Sequence, residues 1–330
     1  MPQLGELEDP RDALIDELIA IAEEDERLVV LDADVSRTSR TRRFRDRFPD
    51  RFHDVGVAEQ DLFGIAAGMA TTGIVPVGVT FAVFASLRAA EPIRTSICYP
   101  RLNAKVVGGY AGVSNAKDGA THQSLEDIAI MRSFANMVVL APSDGVMTRK
   151  VMRAAFEHDG PVYVRVEYEM IPAIHSQDTE FVIGHGLRLR HGDAVTIAAY
   201  GTAAVRALEA AETLSGVGIE ADVLDMVSLK PFDESLLLES VARTSGLVTV
   251  EDHNVIGGLA SAACQTLVEA GIAPAFRALG FRDTYSESGA AGELRDKYGL
   301  GARAIVAAAS ALVNTGRLER GVVGAWHGTD

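Results

Sequence analysis

Glu59 lies in Val55-Gly56-Val57-Ala58-Glu59-Gln60, just ahead of the small and apolar run Gly64-Ile65-Ala66-Ala67-Gly68-Met69-Ala70. A carboxylate placed where a buried strand hands over to a tightly packed helix costs several kcal/mol unless it finds a partner. Two readings fit it: an acid favoured by the dipole at a helix N-terminus, or a buried carboxylate that faces an interface rather than water. Gly64 and Gly68 favour the second, because glycines four apart let another backbone approach closely. The string Asp118-Gly119-Ala120-Thr121-His122-Gln123 is a second constellation. A histidine there can pass a proton to or from a substrate oxygen near neutral pH. Its plain alternative is a capping loop, since Ser124-Leu125-Glu126-Asp127 resembles a helix start. Phe81 and Phe84 stand three apart in Thr80-Phe81-Ala82-Val83-Phe84. Their pattern favours core packing, with a wall for a flat heterocycle as the alternative.

These side chains need elements that deliver them to one place. Runs rich in β-branched residues recur at 28–31, 75–79, 105–107, 137–140 and 162–166. Apolar residues at helical spacing lie between them, at 12–23, 59–71, 86–96, 125–133 and 145–158. The alternation predicts an α/β fold with a largely parallel sheet covered on both faces. Pro76 marks a strand start or an edge, because proline lacks the ladder donor. The alternation stalls between 167 and 193, which reads as a domain joint. A second series follows, with strands at 195–199, 221–224 and 247–250 and helices at 203–214, 235–244, 258–270 and 302–313. The expected layout is a domain over 8–175, a linker over 176–192, a smaller α/β domain over 193–315, and a poorly ordered tail over 316–330. Ligands of open parallel sheets bind beyond the carboxyl ends of the strands. Glu59, the 118–123 string and Asp32-Ala33-Asp34 each follow a strand, so they are expected to share one crevice.

At 330 residues, with 48% apolar residues, two domains are the natural count. The net charge of −15 argues against nucleic acid as a partner. Cys98 and Cys264 form no CxxC and no disulfide framework, which suits a reducing cytoplasm. The first residues lack the pattern of a signal peptide, and the near-apolar stretch 73–85 falls short of the ~20 residues that span a bilayer. No membrane partner is expected. There is no Walker loop, GxGxxG, GxSxG or HExxH, and Gly108-Gly109-Tyr110-Ala111-Gly112 is only a glycine-rich loop. The histidines are scattered, so no structural zinc site and no metal ligands are expected.

Taken in order, several segments resemble the transketolase family in its C-terminal half, a pyrimidine-binding domain followed by the transketolase C-terminal domain. They are Phe48-Pro49-Asp50-Arg51-Phe52, Gly56-Val57-Ala58-Glu59-Gln60, Thr80-Phe81, Asp118 to Gln123, Ala141-Pro142-Ser143-Asp144 and Glu251-Asp252-His253-Asn254-Val255-Ile256-Gly257-Gly258. Leu279-Gly280, Ser288-Gly289 and Tyr298-Gly299-Leu300 fit the last domain. The resemblance implies that Glu59 hydrogen-bonds a ring nitrogen of the thiamine diphosphate aminopyrimidine. That favours the imino tautomer, which takes the thiazolium C2 proton and yields the ylide. Phe81 and Phe84 would line the pyrimidine pocket, with Leu87 where the family has a third aromatic. Asp34 matches an aspartate near the cofactor. His122 would contact substrate oxygens, and Asp118 a sugar hydroxyl. The family's phosphate-holding histidine and arginine fall at or near Tyr110 and Tyr168, which leaves Arg165 as a substitute anchor.

The family holds diphosphate and a divalent metal, Mg2+ or Ca2+, through a Gly-Asp-Gly motif and a downstream asparagine in its N-terminal domain. Here Ser143-Asp144-Gly145 has no such asparagine and lies in the other domain. The resemblance therefore implies one subunit of a split transketolase-like transferase acting on small sugars. An N-terminal subunit bearing Gly-Asp-Gly would complete it, in an α2β2 assembly. Two alternatives share the fold: the β subunit of the first component of a 2-oxo acid dehydrogenase, and a non-catalytic regulatory subunit. The 118–123 string favours transketolase and the related deoxyxylulose-phosphate synthase, usually one long chain. Arg37, Arg40, Arg42, Arg43, Arg45 and Arg47 form either an anion-reaching segment or a solvated helix face.

Overall fold

A computed structural model describes residues 3–324, with side chains to Asn314. Its strands are β1 (Leu7–Glu8), β2 (Leu28–Asp32), β3 (Phe52–Asp54), β4 (Val75–Phe81), β5 (Lys105–Gly109), β6 (Val138–Leu140), β7 (Val162–Arg165) and β8 (Ile171–Pro172), followed by β9 (Leu187–Arg190), β10 (Val195–Ala199), β11 (Ala221–Asp225), β12 (Ser228–Lys230), β13 (Gly246–Asn254) and β14 (Ala275–Phe281). Seven form one sheet in the order β12-β6-β7-β5-β4-β2-β3, and five form another in the order β14-β13-β10-β11-β9. All pairs in the first sheet are parallel except β12–β6, and all in the second except β11–β9. β1 and β8 make a separate antiparallel ribbon.

The helices are α1 (Pro10–Glu24), α2 (Arg42–Arg47), α3 (Glu59–Ala70), α4 (Ala90–Pro92), α5 (Asp127–Ser133), α6 (Gly145–Glu157), α7 (Thr202–Ser215), α8 (Glu234–Arg243), α9 (Leu259–Glu269), α10 (Ala291–Lys297) and α11 (Ala302–Gly324). Asp9, Asp144 and Asp233 cap α1, α6 and α8 by accepting backbone N–H bonds. Strands β2, β5, β6, β7, β10 and β11 are buried at every residue, as a sheet covered on both faces requires. The expected α/β architecture is the observed one.

Several details differ from expectation. The stretch 86–96 is not one regular helix: α4 is flanked by π-helical turns at Phe84–Arg88 and Ile93–Cys98. The helix expected from 125 starts at Asp127, and its cap residue Glu126 makes no side-chain capping bond. Pro76 is the second residue of β4, an interior strand. Pairing with β5 begins only at Val77, so the missing N–H costs that ladder nothing. β9 falls within the 176–192 stretch and pairs with β11. α11 runs on to Gly324, and the rest of the expected tail, 325–330, lies outside the described residues.

α3 is seated tightly on β4. A Cβ on Gly78 would meet the Phe63 ring at 2.6 Å. Glycine at that position lets the helix that begins with Glu59 lie close to the strand that ends at Phe81.

Candidate functional site

Glu59 is the first residue of α3, and its side chain is only 3% exposed. Its partner is Arg88, whose Nη1 reaches Oε1 at 3.1 Å and Oε2 at 3.0 Å. Val57, Ala58, Glu59, Gln60, Asp61 and Arg88 line an open hollow of about 780 Å³. Gly64 and Gly68 lie further along α3, exposed, with open space where a side chain would stand. That face of the helix is clear for a neighbouring backbone.

The aromatic pair sits beside this carboxylate. Phe81 and Phe84 have ring centroids 5.7 Å apart and planes at 22°. His122 stands edge-on to both, 5.3 Å from Phe84 and 6.1 Å from Phe81. Tyr110 meets Phe81 edge-on at 5.0 Å. The Arg88 guanidinium lies over the Phe84 ring at 4.1 Å, which joins Glu59 to the aromatic cluster. The core-packing reading of Phe81 and Phe84 does not describe them: both are only half-buried.

The 118–123 string forms a tight turn, with the N–H groups of His122 and Gln123 donating to the Gly119 carbonyl. Gly119 has φ +77°, and a Cβ there would strike Ser288 Oγ at 2.7 Å. The turn is thus pressed against the second domain, and Gln123 Nε2 fixes it by donating to the Glu287 carbonyl at 2.9 Å. His122 Nδ1 is 2.9 Å from Thr121 Oγ1, and Asp118 is exposed. Asp34 follows β2, the neighbour of β4, so it lies at the same carboxyl edge of the sheet as Phe81. It has φ +58° and its N–H donates to Asp54 Oδ1 at 3.0 Å. Its loop is held by buried Asp32, which accepts from Val35 N–H and from Thr41 and Ser39 hydroxyls. Burial pushes the Asp32 carboxyl up to about 6, against the pull of those hydrogen bonds.

Two candidates stand apart. Leu87 is 55% exposed and adds nothing to the aromatic wall. Arg165 is 1% exposed and spends its guanidinium on Asp127 Oδ2, Glu167 Oε1 and the Asp252 carbonyl, at 3.1, 2.8 and 2.7 Å. It ties the two domains together and offers nothing to a sugar in the crevice. Tyr110 and Tyr168 pack at 4.6 Å, with Arg11 over the Tyr168 ring. In the arginine segment, Arg40, Arg43 and Arg47 pair with acids of α1 or its cap, Asp9, Asp12, Asp16 and Glu23. Arg43 and Arg47 are exposed on α2, as in the solvated-face alternative, whereas Arg40 precedes the helix and is half-buried. Arg88 belongs to none of the motifs above. Its signal was one cation in the otherwise uncharged stretch from Val75 to Ala90.

The donor set fits a flat nitrogen heterocycle: a carboxylate beside an aromatic wall, with a histidine at the wall's edge. It supplies no metal shell, since among the described residues no three His, Cys, Asp or Glu side chains stand together as ligands. Nor is any described helix long and apolar enough to cross a membrane.

This is a two-domain α/β protein with a ring-and-carboxylate site at the carboxyl edge of its larger sheet. The model of the transketolase pyrimidine-binding domain matches residues 9–172, and that of the transketolase C-terminal domain matches residues 184–305. The chain belongs to the transketolase family and corresponds to its C-terminal section. A putative transketolase C-terminal section from Methanocaldococcus jannaschii is 43% identical over 290 residues, covering 87% of this chain and 91% of that one. A 6-deoxy-6-sulfo-D-fructose transketolase subunit from a Clostridium species is 42% identical, covering 91% and 92%. A solved split gene transketolase, described as an inactive beta4 tetramer, superposes with a TM-score of 0.84 at 43% identity, covering 93% of this chain and 98% of that one.

Proposed function

We propose that this chain is the C-terminal subunit of a two-subunit, thiamine-diphosphate-dependent enzyme that transfers a two-carbon ketol unit from a ketose to an aldose. The observation that carries this reading is the meeting of Glu59, Phe81, Phe84 and His122 at one sheet edge. Bound thiamine diphosphate would supply a stabilised carbanion next to a sugar carbonyl. Glu59 would hold a proton shared with a nitrogen of the bound ring. Phe81 and Phe84 would orient that ring and keep water from it. His122 donates to, or accepts from, the substrate oxygens at the reacting carbons. Asp118, exposed on the same turn, accepts from a sugar hydroxyl, and Asp34 flanks the cofactor from the β2 loop.

Diphosphate and metal belong to another chain in this reading. Gly64 and Gly68 mark the face on which that chain closes, in an α2β2 complex. Relatives named as a C-terminal section and as a transketolase subunit support the division. The test is co-expression with a Gly-Asp-Gly-bearing chain encoded beside this one, followed by assays of ketol transfer and thiamine diphosphate binding. Activity should appear only with both chains, and Glu59→Gln should lower it by about 10²–10⁴. Tight cofactor binding with full activity by this chain alone would overturn the split. Pyruvate decarboxylation without ketol transfer would place the pair with the 2-oxo acid dehydrogenases.

A further inference from the structure

Arg88 has no part in the chemistry above, yet it occupies the ground that chemistry needs. Glu59 is buried and requires a positive or hydrogen-donating partner. Arg88 Nη1 reaches both of its carboxylate oxygens, at 3.1 and 3.0 Å. The same guanidinium covers the Phe84 ring at 4.1 Å. A planar, positively charged group thus sits on an aromatic face while engaging a carboxylate. That is the pair of contacts an aminopyrimidine would make.

The main chain that carries Arg88 is fixed. It closes the π-helical turn Phe84–Arg88, where the Ala89 N–H donates to the Phe84 carbonyl at 3.1 Å. Gln60 Nε2 donates to the Arg88 carbonyl at 3.1 Å. The side chain is different: it is 52% exposed, so it can swing into solvent without unpacking a core. Guanidinium and ring cannot share the space between Glu59 and Phe84.

We propose that Arg88 is a stand-in for the cofactor ring. In the chain alone it neutralises Glu59 and covers Phe84, and it must leave before an aminopyrimidine can enter. It therefore holds the pyrimidine half of the site closed and lowers the affinity for the cofactor. This inference rests on the assignment of Glu59 to the aminopyrimidine.

The test uses the chain assembled with the subunit that completes it, titrated calorimetrically with thiamine diphosphate and Mg2+. Arg88→Gln should bind thiamine diphosphate about tenfold more tightly than wild type. Arg88→Lys keeps the charge and should stay near wild type. In the Glu59→Gln background the effect of Arg88→Gln should shrink, because the charge pair it relieves no longer exists and only the Phe84 contact remains. Unchanged or weaker cofactor binding by Arg88→Gln overturns the proposal. So does a raised sugar KM at unchanged cofactor affinity, which would make Arg88 a substrate contact. Glu59→Gln alone separates the two ideas. If it leaves cofactor affinity and turnover intact, the assignment of Glu59 fails. If it weakens both while Arg88→Gln does nothing, only the stand-in fails.

Discussion

At the scale of single residues, the site divides into groups that meet and groups that only looked suitable. His122 stands against both phenylalanines, on a turn that Gly119 and Gln123 press onto the second domain. A histidine in a mere capping loop would have no reason to face an aromatic wall. His122→Asn should therefore lower kcat/KM for ketol transfer by about 10²–10⁴ in the assembled enzyme. Its thiamine diphosphate affinity should stay near wild type, because the ring contacts proposed above are those of Glu59, Phe81 and Phe84. Steady-state kinetics beside a cofactor titration reads both, and unaltered kinetics would return His122 to the capping alternative. Arg165 shows the opposite outcome. Its sequence neighbours, Val164 and Val166, place it on a strand covered on both faces, where a charged side chain must find buried partners. That burial was legible in the sequence. The identity of the partners was not, since Asp127 and Asp252 lie 38 and 87 residues away.

At the scale of elements, the position of Glu59 depends on how closely α3 rides on β4. Gly78 lies between Leu31 and Val106 in the sheet and directly under the Phe63 ring. Gly78→Ala would drive a methyl into a ring that is fully buried. The expected cost is about 1–3 kcal/mol, with α3 pushed outward and cofactor affinity reduced. Adding Phe63→Leu should recover much of both losses, and denaturant unfolding with a cofactor titration checks it. A stability loss that leaves the cofactor untouched would show that α3 shifts without carrying Glu59. The long parallel strands were readable because burial on both faces writes unbroken apolar runs, as in Leu28–Asp32 and Val162–Arg165. β3, β9, β12 and β14 were missed: each sits at a sheet edge, three have four residues or fewer, and β14 mixes Arg277 and Gly280 with apolar residues. The π-helical turns were invisible for another reason. Their apolar residues keep helical spacing, and the wider turn that sets Arg88 against Glu59 leaves no mark on that period.

At the scale of the whole molecule, the two domains are joined by charges that no local pattern reveals. Asp144 caps α6 and accepts from the N–H groups of Ile174 and His175, and from His175 Nδ1 at 3.0 Å. His175 Nε2 faces Asp225 Oδ2 of β11 at 3.4 Å, and Asp225 also accepts from the Ser143 hydroxyl. Asp144, Asp225, His175 and Ser143 are thus one buried cluster spanning both sheets. Burial pushes the Asp225 carboxyl up to about 7, against the pull of His175 and Ser143. His175 is held above its usual value: burial opposes its charge, but Asp144 and Asp225 prevail. The signs agree. Folded Asp225 keeps a proton that the unfolded chain has lost above about pH 4, so its stabilising effect is full below that and fades as pH rises to about 7. The His175 contribution is full below about pH 6.5 and is lost as pH rises through its raised value. Asp225→Asn removes the first effect and weakens the second. Glu251, pushed up to about 7, and Lys105, pulled down to about 7, titrate alike in wild type and variant and cancel in the difference. Thermal unfolding of the isolated chain between pH 5 and pH 8 should therefore fall less steeply for Asp225→Asn, with Tm at pH 8 raised by about 2–4 °C. Asp144→Asn should instead be less stable throughout that range, because its carboxylate is held ionised by the donors around it. Parallel wild-type and Asp225→Asn curves would show that the cluster joins the domains without sensing pH.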